Sequence, residues 1–270
     1  MNNRQRFFRV LLLCFLMIGL GFNVFAQDKA SFIAHAHNDY KHKRPFFDAW
    51  EKGFNSIEVD VFLIKGELYV SHLKPILKRE KKTFKYLYLE ALADIAKNNP
   101  VGSNHFYLMI DIKTEANATY EVLKKQLAEV EFMLTKYKGK TKEKGTVTVF
   151  LSGNRPIEEV LNEQERFVAI DGRPTQLGKN ISTNSMPVVS AHFKKVCNWD
   201  GKGEIPKAEF EKLKTFANKI HQEGKKARLW AIPDNENTWK VLIEAGIDFI
   251  NTDKLDEFSA FMKKKEFIRC

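Results

Sequence analysis

The sequence predicts a single (β/α)8 barrel. Short runs rich in β-branched and aromatic residues alternate with segments whose apolar residues recur at helical spacing, which is the pattern of a parallel α/β fold. Eight such runs can be counted, and eight βα units close a barrel. No glycine-rich phosphate loop follows a predicted strand, which argues against an open doubly wound sheet.

The eight predicted strands are Phe32–His37, Ser56–Leu63, Phe106–Ile112, Thr146–Leu151, Phe167–Ile170, Pro187–Ser190, Ala227–Ile232 and Phe249–Asn251. The second strand turns at Lys65-Gly66 and returns through Leu68–His72 as a short hairpin. Helices are expected at Arg44–Lys52, Thr83–Asn98, Glu115–Tyr137, Lys207–Glu223 and Thr238–Ala245. The stretch from Gly172 to Pro187 is a long loop, and we expect a lid or rim insertion there.

The amino-terminal segment is typical of an export signal. Three arginines precede an apolar run from Val10 to Val24, and Val24-Phe25-Ala26 provides a cleavage site after Ala26. The run is shorter than the roughly 20 apolar residues of a spanning helix. We therefore expect residues 1–26 to be a signal peptide, residues 27–270 to form one barrel domain, and the protein to be periplasmic or secreted.

The chain is basic, with 44 Lys and Arg against 34 Asp and Glu and a net charge of +10. Much of this charge is lysine in segments expected to be solvated, so no nucleic-acid partner is expected. The positive charge is better explained by attraction to phosphate substrates or by peripheral contact with anionic lipid. The sequence does not set the oligomeric state. Cys197 and Cys270 allow a disulfide or two free thiols, and their spacing does not indicate zinc.

Three carboxylates at predicted strand ends indicate a metal site. Glu58 and Asp60 lie two apart and so share one face of a strand, which in a barrel is the interior. Two ionised groups there repel one another and lose hydration. A hard divalent cation bound by their oxygens is the simplest way to neutralise them. Asp111 ends an apolar strand beside Lys113, a donor for a phosphate oxygen. The alternative is that Asp111 and Lys113 are only a structural pair.

Two histidines accompany the acids. His37 ends the first predicted strand and His72 ends the hairpin, so both are expected at one rim of the barrel. Because imidazole titrates near neutral pH, one can deprotonate a nucleophile while the other protonates a leaving oxygen. A single histidine at a strand end is usually only a hydrogen-bonding residue, whereas two beside an acidic pair favour catalysis.

These motifs resemble the glycerophosphodiester phosphodiesterase superfamily, and within it the branch of proteins like altered inheritance of mitochondria protein 6. The resemblance is carried by His35-Ala36-His37-Asn38-Asp39-Tyr40, Gly53-Phe54-Asn55-Ser56-Ile57-Glu58-Val59-Asp60-Val61, Val70-Ser71-His72, Met109-Ile110-Asp111-Ile112-Lys113, Asp171-Gly172-Arg173, Leu229-Trp230-Ala231 and Gly246-Ile247-Asp248-Phe249-Ile250-Asn251-Thr252-Asp253. It extends over nearly the whole chain after residue 26.

The resemblance implies a barrel of the phospholipase C-like type and roles for particular residues. Glu58, Asp60 and Asp111 would hold one divalent cation, Mg or Ca, and His37 and His72 would act as acid and base. His35 is the alternative to His37, because the two share a face. The substrate side would be lined by Lys113, Trp230, His35, Asn38, Asp171 and Arg173. For Asp171 and Arg173 ordinary turn chemistry is an equal alternative, and Trp230 has the alternative of filling the barrel interior.

The chain also departs from the family pattern. Asn38 stands where typical members carry Arg, Phe46-Phe47-Asp48 replaces Glu-Asn-Thr, and Leu73 replaces an acid. The expected activity is that of a phosphoric diester hydrolase acting on a glycerophosphodiester or a phospholipid-type substrate. Because of the departures, the alternative is a catalytically degenerate barrel that binds phosphate or lipid head groups. A metal-dependent sugar or amide hydrolase on the same barrel is a further alternative.

Overall fold

The strands were located in a computed structural model that describes residues 32–76, 80–98 and 105–265. Expectations for the export signal and for Cys270 fall outside these residues. The strands are β1 (Ile33–Ala36), β2 (Ser56–Ile64), β3 (Glu67–Val70), β4 (Phe106–Ile112), β5 (Lys136–Lys138), β6 (Thr141–Glu143), β7 (Val147–Gly153), β8 (Glu165–Arg166), β9 (Val168–Gly172), β10 (Val188–His192), β11 (Lys226–Trp230) and β12 (Phe249–Thr252).

Eight of these strands form a closed parallel barrel, which confirms the predicted fold. Their order is β1-β12-β11-β10-β9-β7-β4-β2, and β2 pairs with β1 to close the ring. β3 pairs antiparallel with the carboxyl half of β2, as Val61↔Val70 to Ile64↔Glu67. The predicted hairpin is therefore present, and β3 returns the chain to the mouth of the barrel.

The α-helices surround the barrel and are α1 (Phe47–Glu51), α2 (Glu90–Asn98), α3 (Ala116–Ala128), α4 (Ile157–Asn162), α5 (Lys207–His221), α6 (Glu236–Glu244) and α7 (Leu255–Lys265). Side-chain caps define the start of two of them. Glu115 accepts hydrogen bonds from Asn117 N and Ala118 N at α3, and Asn235 accepts one from Thr238 N at α6. A π-helical turn, Lys85–Leu89, precedes α2. Among the described residues no helix is both long and apolar enough to span a membrane.

The barrel interior changes from apolar to polar toward the carboxyl ends of the strands. Ile33, Met109, Phe150, Ala169, Val188 and Phe249 form a buried apolar cluster at the lower level. Two residues further along the same faces the side chains are polar, as in the pairs Ile33/His35, Met109/Asp111, Phe150/Ser152, Ala169/Asp171 and Val188/Ser190. A second, larger apolar core fills the space between the sheet and the helices. The polar layer therefore lies at the end where barrel active sites form.

The prediction of one helix over Glu115–Tyr137 was wrong in its second half. α3 ends at Ala128, and the chain then forms a 3-10 turn (Glu131–Met133) and β5. β5 pairs with β6 and β8 in a separate three-stranded antiparallel sheet. Tyr137 is fully buried and the Arg166 guanidinium lies 4.6 Å from its ring centre. This burial, reached only through long-range contacts, outweighs local helix propensity.

The loop between β9 and β10 contains only a 3-10 turn, Pro174–Gln176, where the other barrel connections contribute helices. The flank of α5 next to this loop is consequently open. The space there is a cavity of about 850 Å³ that reaches Arg173, His192 and Trp230 at the mouth. The long loop expected from the sequence therefore forms part of the rim.

Candidate active site

Three carboxylates meet at the mouth of the barrel. Glu58 and Asp60 lie on β2 and Asp111 lies on the adjacent β4, where it is the register partner of Asp60. One oxygen from each of the three carboxylates lies within 4.8 Å of the other two. Glu58 and Asp60 are buried, and Asp111 is partly buried. Negative charges this close repel one another, so the ionised cluster needs positive charge.

Two cationic side chains already contact this cluster. Arg228, on β11, donates to Glu58 Oε2 at 2.7 Å. Lys113 Nζ lies 3.2 Å from Asp60 Oδ2 and 3.0 Å from Asp111 Oδ2. Burial raises the pKa of Glu58, but the charge of Arg228 and the His35 hydrogen bond outweigh it and lower the pKa to about 2. Burial raises the pKa of Asp111 to about 6, although Lys113 opposes the shift.

Two oxygens of the cluster lack hydrogen-bond donors. Asp60 Oδ1 and Asp111 Oδ1 are buried and have no partner within the described part of the chain. The other oxygen of Asp60 accepts from the Tyr40 hydroxyl at 2.7 Å. Mg²⁺ and Ca²⁺ bind carboxylate oxygens at about 2.0–2.6 Å, and unpartnered oxygens beside a third carboxylate suit either ion. The residues present therefore fit one divalent cation.

Gly153 makes room for the Asp111 carboxylate. It ends β7 with a φ of 68°, a left-handed conformation that strains other residues. A Cβ at this position would overlap Asp111 Oδ1. A larger residue would therefore push the carboxylate out of the cluster.

The two histidines lie at the same mouth. His37 Nδ1 is 2.9 Å from Asp253 Oδ1, beyond the end of β12. Burial lowers the pKa of His37, but the hydrogen bond to Asp253 and the charge of Glu58 outweigh it and leave the pKa raised. His72 Nδ1 lies 3.4 Å from Asp60 Oδ2 and 3.2 Å from the Tyr40 hydroxyl. Each imidazole keeps an exposed face, 32% of the His37 side chain and 57% of the His72 side chain.

His35 is fully buried beneath the acidic cluster, and its expected place on the substrate side stays a prediction. Its Nδ1 is 2.7 Å from Ser56 Oγ, its Nε2 is 3.4 Å from Glu58 Oε2, and the side chain is fully buried. Burial lowers the pKa of His35 to about 4, so the ring is neutral at pH 7. His35 and His37 share one face of the chain, but His35 lies deeper in the barrel and His37 is partly exposed at the mouth.

Asn38 and Asp171 are both buried and make hydrogen-bond contacts within the barrel. Asn38 is buried, its amide nitrogen lies 3.1 Å from His37 Nδ1, and its Oδ1 lies 2.7 Å from the Tyr40 hydroxyl oxygen. Asp171 is fully buried and accepts from Ser152 Oγ at 2.9 Å and Ser190 Oγ at 2.5 Å. Their polar atoms have partners inside the barrel, and the substrate-binding role expected for both stays a prediction.

Arg173 and Trp230 lie at the rim. Arg173 Nη1 is 2.7 Å from Asp171 Oδ2, and 29% of its side chain remains exposed. Trp230 is 38% exposed and meets the His192 ring edge-on, with ring centres 4.4 Å apart. The alternative that Trp230 fills the barrel interior is therefore wrong. Both residues line the cavity along α5.

Three residues of the mouth were not predicted to belong to the site. Arg228 shares the inward face of β11 with Trp230, so its position two residues earlier was a usable signal. Asp253 follows the last strand as His37 follows the first, and Tyr40 ends the segment His35-Ala36-His37-Asn38-Asp39-Tyr40. Arg228 contacts Glu58, Asp253 contacts His37 and Tyr40 contacts Asp60. The members of each pair are at least 20 residues apart in sequence.

A closed parallel barrel that gathers three carboxylates, two imidazoles and a lysine at its mouth is the architecture expected of a barrel phosphodiesterase. Residues 23–106 and 100–171 match the AIM6-like phosphodiesterase domain. These segments cover more than half of the chain, and the protein belongs to that family. Residues 226–256 also match the glycerophosphoryl diester phosphodiesterase family.

Similar proteins cover most of the chain. Altered inheritance of mitochondria protein 6 of Eremothecium gossypii is 28% identical over 268 residues, covering 84% of this chain and 68% of that protein. A homolog of altered inheritance of mitochondria protein 6 from Arthroderma benhamiae is 25% identical over 256 residues, covering 82% of this chain and 81% of its own. The family matches support a phosphodiesterase-type function.

Proposed function

We propose that the protein is an exported, metal-dependent phosphoric diester hydrolase that acts on glycerophosphodiester or phospholipid-type substrates. The observation that carries the proposal is the acidic cluster, with its unpartnered Asp60 and Asp111 oxygens, at the same mouth as His37 and His72. Membership in a phosphodiesterase family supports the reaction class. Export rests on the amino-terminal sequence pattern alone.

Glu58, Asp60 and Asp111 would hold the cation. When bound there, the cation offsets the negative charge that develops on the phosphate oxygens. The Lys113 ammonium group lies beside Asp60 and Asp111 and would donate a hydrogen bond to a phosphate oxygen. Burial lowers the pKa of Lys113, but the charges of Asp111 and Asp60 outweigh it and leave the pKa raised, so the ammonium group stays protonated. Arg173, partly exposed at the rim, offers a second donor to the phosphate or its substituent.

The two imidazoles would move the protons. One accepts a proton from the attacking group, either water or a hydroxyl next to the phosphate, and the other donates a proton to the departing oxygen. With water as the attacking group the products are an alcohol and a phosphate monoester, whereas an internal hydroxyl gives a cyclic phosphate first. Asp253 and Asn38 fix the orientation of the His37 ring, and Tyr40 links His72 to Asp60.

A second candidate function is a barrel that binds phosphate or lipid head groups without turnover. It is favoured by the cations already present, because Arg228 neutralises Glu58, and Lys113 bridges Asp60 and Asp111. In this alternative the acidic cluster keeps its metal, and the barrel binds phosphate without hydrolysing it. The two functions predict different responses to chelation.

The experiment is a turnover assay with bis(p-nitrophenyl) phosphate after treatment with EDTA, followed by addition of Mg²⁺ or Ca²⁺. We expect activity to be lost with EDTA and restored by one of the ions. Asp111→Asn should abolish the response, whereas Asp94→Asn, at a side chain that is 78% exposed, should retain it. A rise in melting temperature on adding metal without any turnover would identify the binding protein. Turnover that persists at full rate in EDTA would refute metal dependence.

A further inference from the structure

The loop that carries His72 holds the two most exposed large apolar side chains in the described part of the chain. Leu73 is 74% exposed and Ile76 is 98% exposed. Isolated apolar side chains on a surface are common, but these two lie on one short loop that adjoins a candidate catalytic residue. They project where the hairpin of β2 and β3 returns to the mouth.

The surroundings of this loop are apolar and cationic. A cavity of about 520 Å³ beside it is lined by Tyr40, Tyr69, His72, Pro75 and the two apolar residues, together with Lys41, Lys74 and Lys82. Among the described residues that line the cavity, none is acidic. Within the described residues none of the three lysines forms an ion pair. The described part of this surface therefore presents positive charge around two exposed aliphatic side chains.

We propose that this surface, formed by Leu73, Ile76, Lys41, Lys74 and Lys82, docks on an anionic lipid bilayer. Aliphatic side chains enter the boundary between head groups and acyl chains, while lysines remain at the level of the anionic head groups. Tyrosine and lysine are suited to that boundary, because each joins an apolar body to a polar tip. A purely apolar protein groove would not need the lysines, and a polyanion would not need Leu73 and Ile76.

Docking in this orientation has a consequence for the reaction. Because Tyr40 and His72 line the same cavity, a head group at the bilayer surface lies directly beside the proposed catalytic imidazole. This inference rests on the proposed function and specifies its substrate, which is a phosphodiester presented by a membrane. A soluble phosphodiester would reach the mouth of the barrel from solution, so its turnover would not require the loop.

The test compares vesicle binding with turnover of a soluble substrate. Wild-type protein should sediment with vesicles of phosphatidylcholine containing phosphatidylglycerol and much less with phosphatidylcholine alone. The double variant Leu73→Ser/Ile76→Ser should bind the anionic vesicles at least ten-fold more weakly. Its turnover of bis(p-nitrophenyl) phosphate should stay within about two-fold of the wild type, because neither side chain belongs to the metal or acid–base set. Phe132→Ser, 52% exposed beyond α3 at the opposite end of the barrel, is the matched control.

Three outcomes would overturn the proposal: no binding of wild type to anionic vesicles, equal binding by the double variant, or an equal loss in Phe132→Ser. Equal binding by the double variant would assign the exposed side chains to contact with another protein. Lys74→Glu/Lys82→Glu should also reduce binding to the anionic vesicles, and unchanged binding would contradict the role of charge. Vesicle binding without turnover of the soluble substrate would refute the proposed function while leaving the docking surface intact.

Discussion

Replacing His37 or His72 with alanine is expected to lower turnover about 10²–10⁴-fold, the usual range for loss of a general acid or base. Each imidazole is partly exposed at the mouth, so neither substitution leaves a large cavity in the core. The free energy of unfolding should therefore change by about 1 kcal/mol or less. Steady-state kcat and urea unfolding, measured on the same metal-loaded samples, separate the two effects.

The leaving group separates the roles of the two histidines. p-Nitrophenolate departs without being protonated, whereas an alkoxide does not. The variant that lacks the acid should therefore lose much less activity with a p-nitrophenyl ester than with an alkyl ester, and the variant that lacks the base should lose similar activity with both. His221→Ala, on α5, is the control and should retain turnover. Wild-type kcat in either mouth variant would remove that histidine from the acid–base role.

Replacing Arg228 with methionine is expected to lower the free energy of unfolding by about 3–5 kcal/mol at pH 7, as for a broken buried ion pair. The side chains of Arg228 and Glu58 are only 2% and 6% exposed, so removal of the guanidinium leaves a buried carboxylate without its main counter-charge. Urea unfolding with EDTA present measures this effect apart from metal binding. The double variant Glu58→Gln/Arg228→Met should recover much of the loss.

The pH dependence of this loss has a defined sign. In the wild type the pKa of Glu58 is lowered from 4.5 to about 2, so its stabilising contribution is complete above about pH 4.5 and disappears as the pH falls toward 2. In Arg228→Met the counter-charge is missing, so burial raises the pKa of Glu58. Protonation of the carboxylate then removes the free-energy cost of its buried negative charge. The deficit of Arg228→Met relative to the wild type should therefore shrink as the pH is lowered below about 5. A deficit that is small at pH 7 would show that the ion pair does not neutralise Glu58.

Alternation along the strands made much of the site predictable. Glu58, Asp60 and Asp111 lie on the inward faces at strand ends, and parallel packing of β2 on β4 is enough to bring them together. The same rule placed His37 at the rim. It could not show that His35 is buried while His37 is partly exposed, because residues two apart on one face of the chain differ only in depth.

Other parts of the site depend on contacts that local patterns do not encode. The Arg228–Glu58 pair joins residues 170 positions apart, and only the closed barrel places β11 across from β2. Helical spacing continued from α3 into Tyr137, but burial of that ring under Arg166 produced a strand instead. The positive φ of Gly153 likewise becomes meaningful only when the Asp111 carboxylate is found against it.

The most direct test of the metal centre is anomalous diffraction from crystals of the full chain soaked in Mn²⁺. We expect one strong peak at the barrel mouth, within about 2.0–2.6 Å of oxygens from Glu58, Asp60 and Asp111. Asp60 Oδ1 and Asp111 Oδ1, the unpartnered oxygens, should be among its ligands. Absence of a peak at saturating Mn²⁺, with Lys113 still bridging Asp60 and Asp111, would contradict a metal-dependent site.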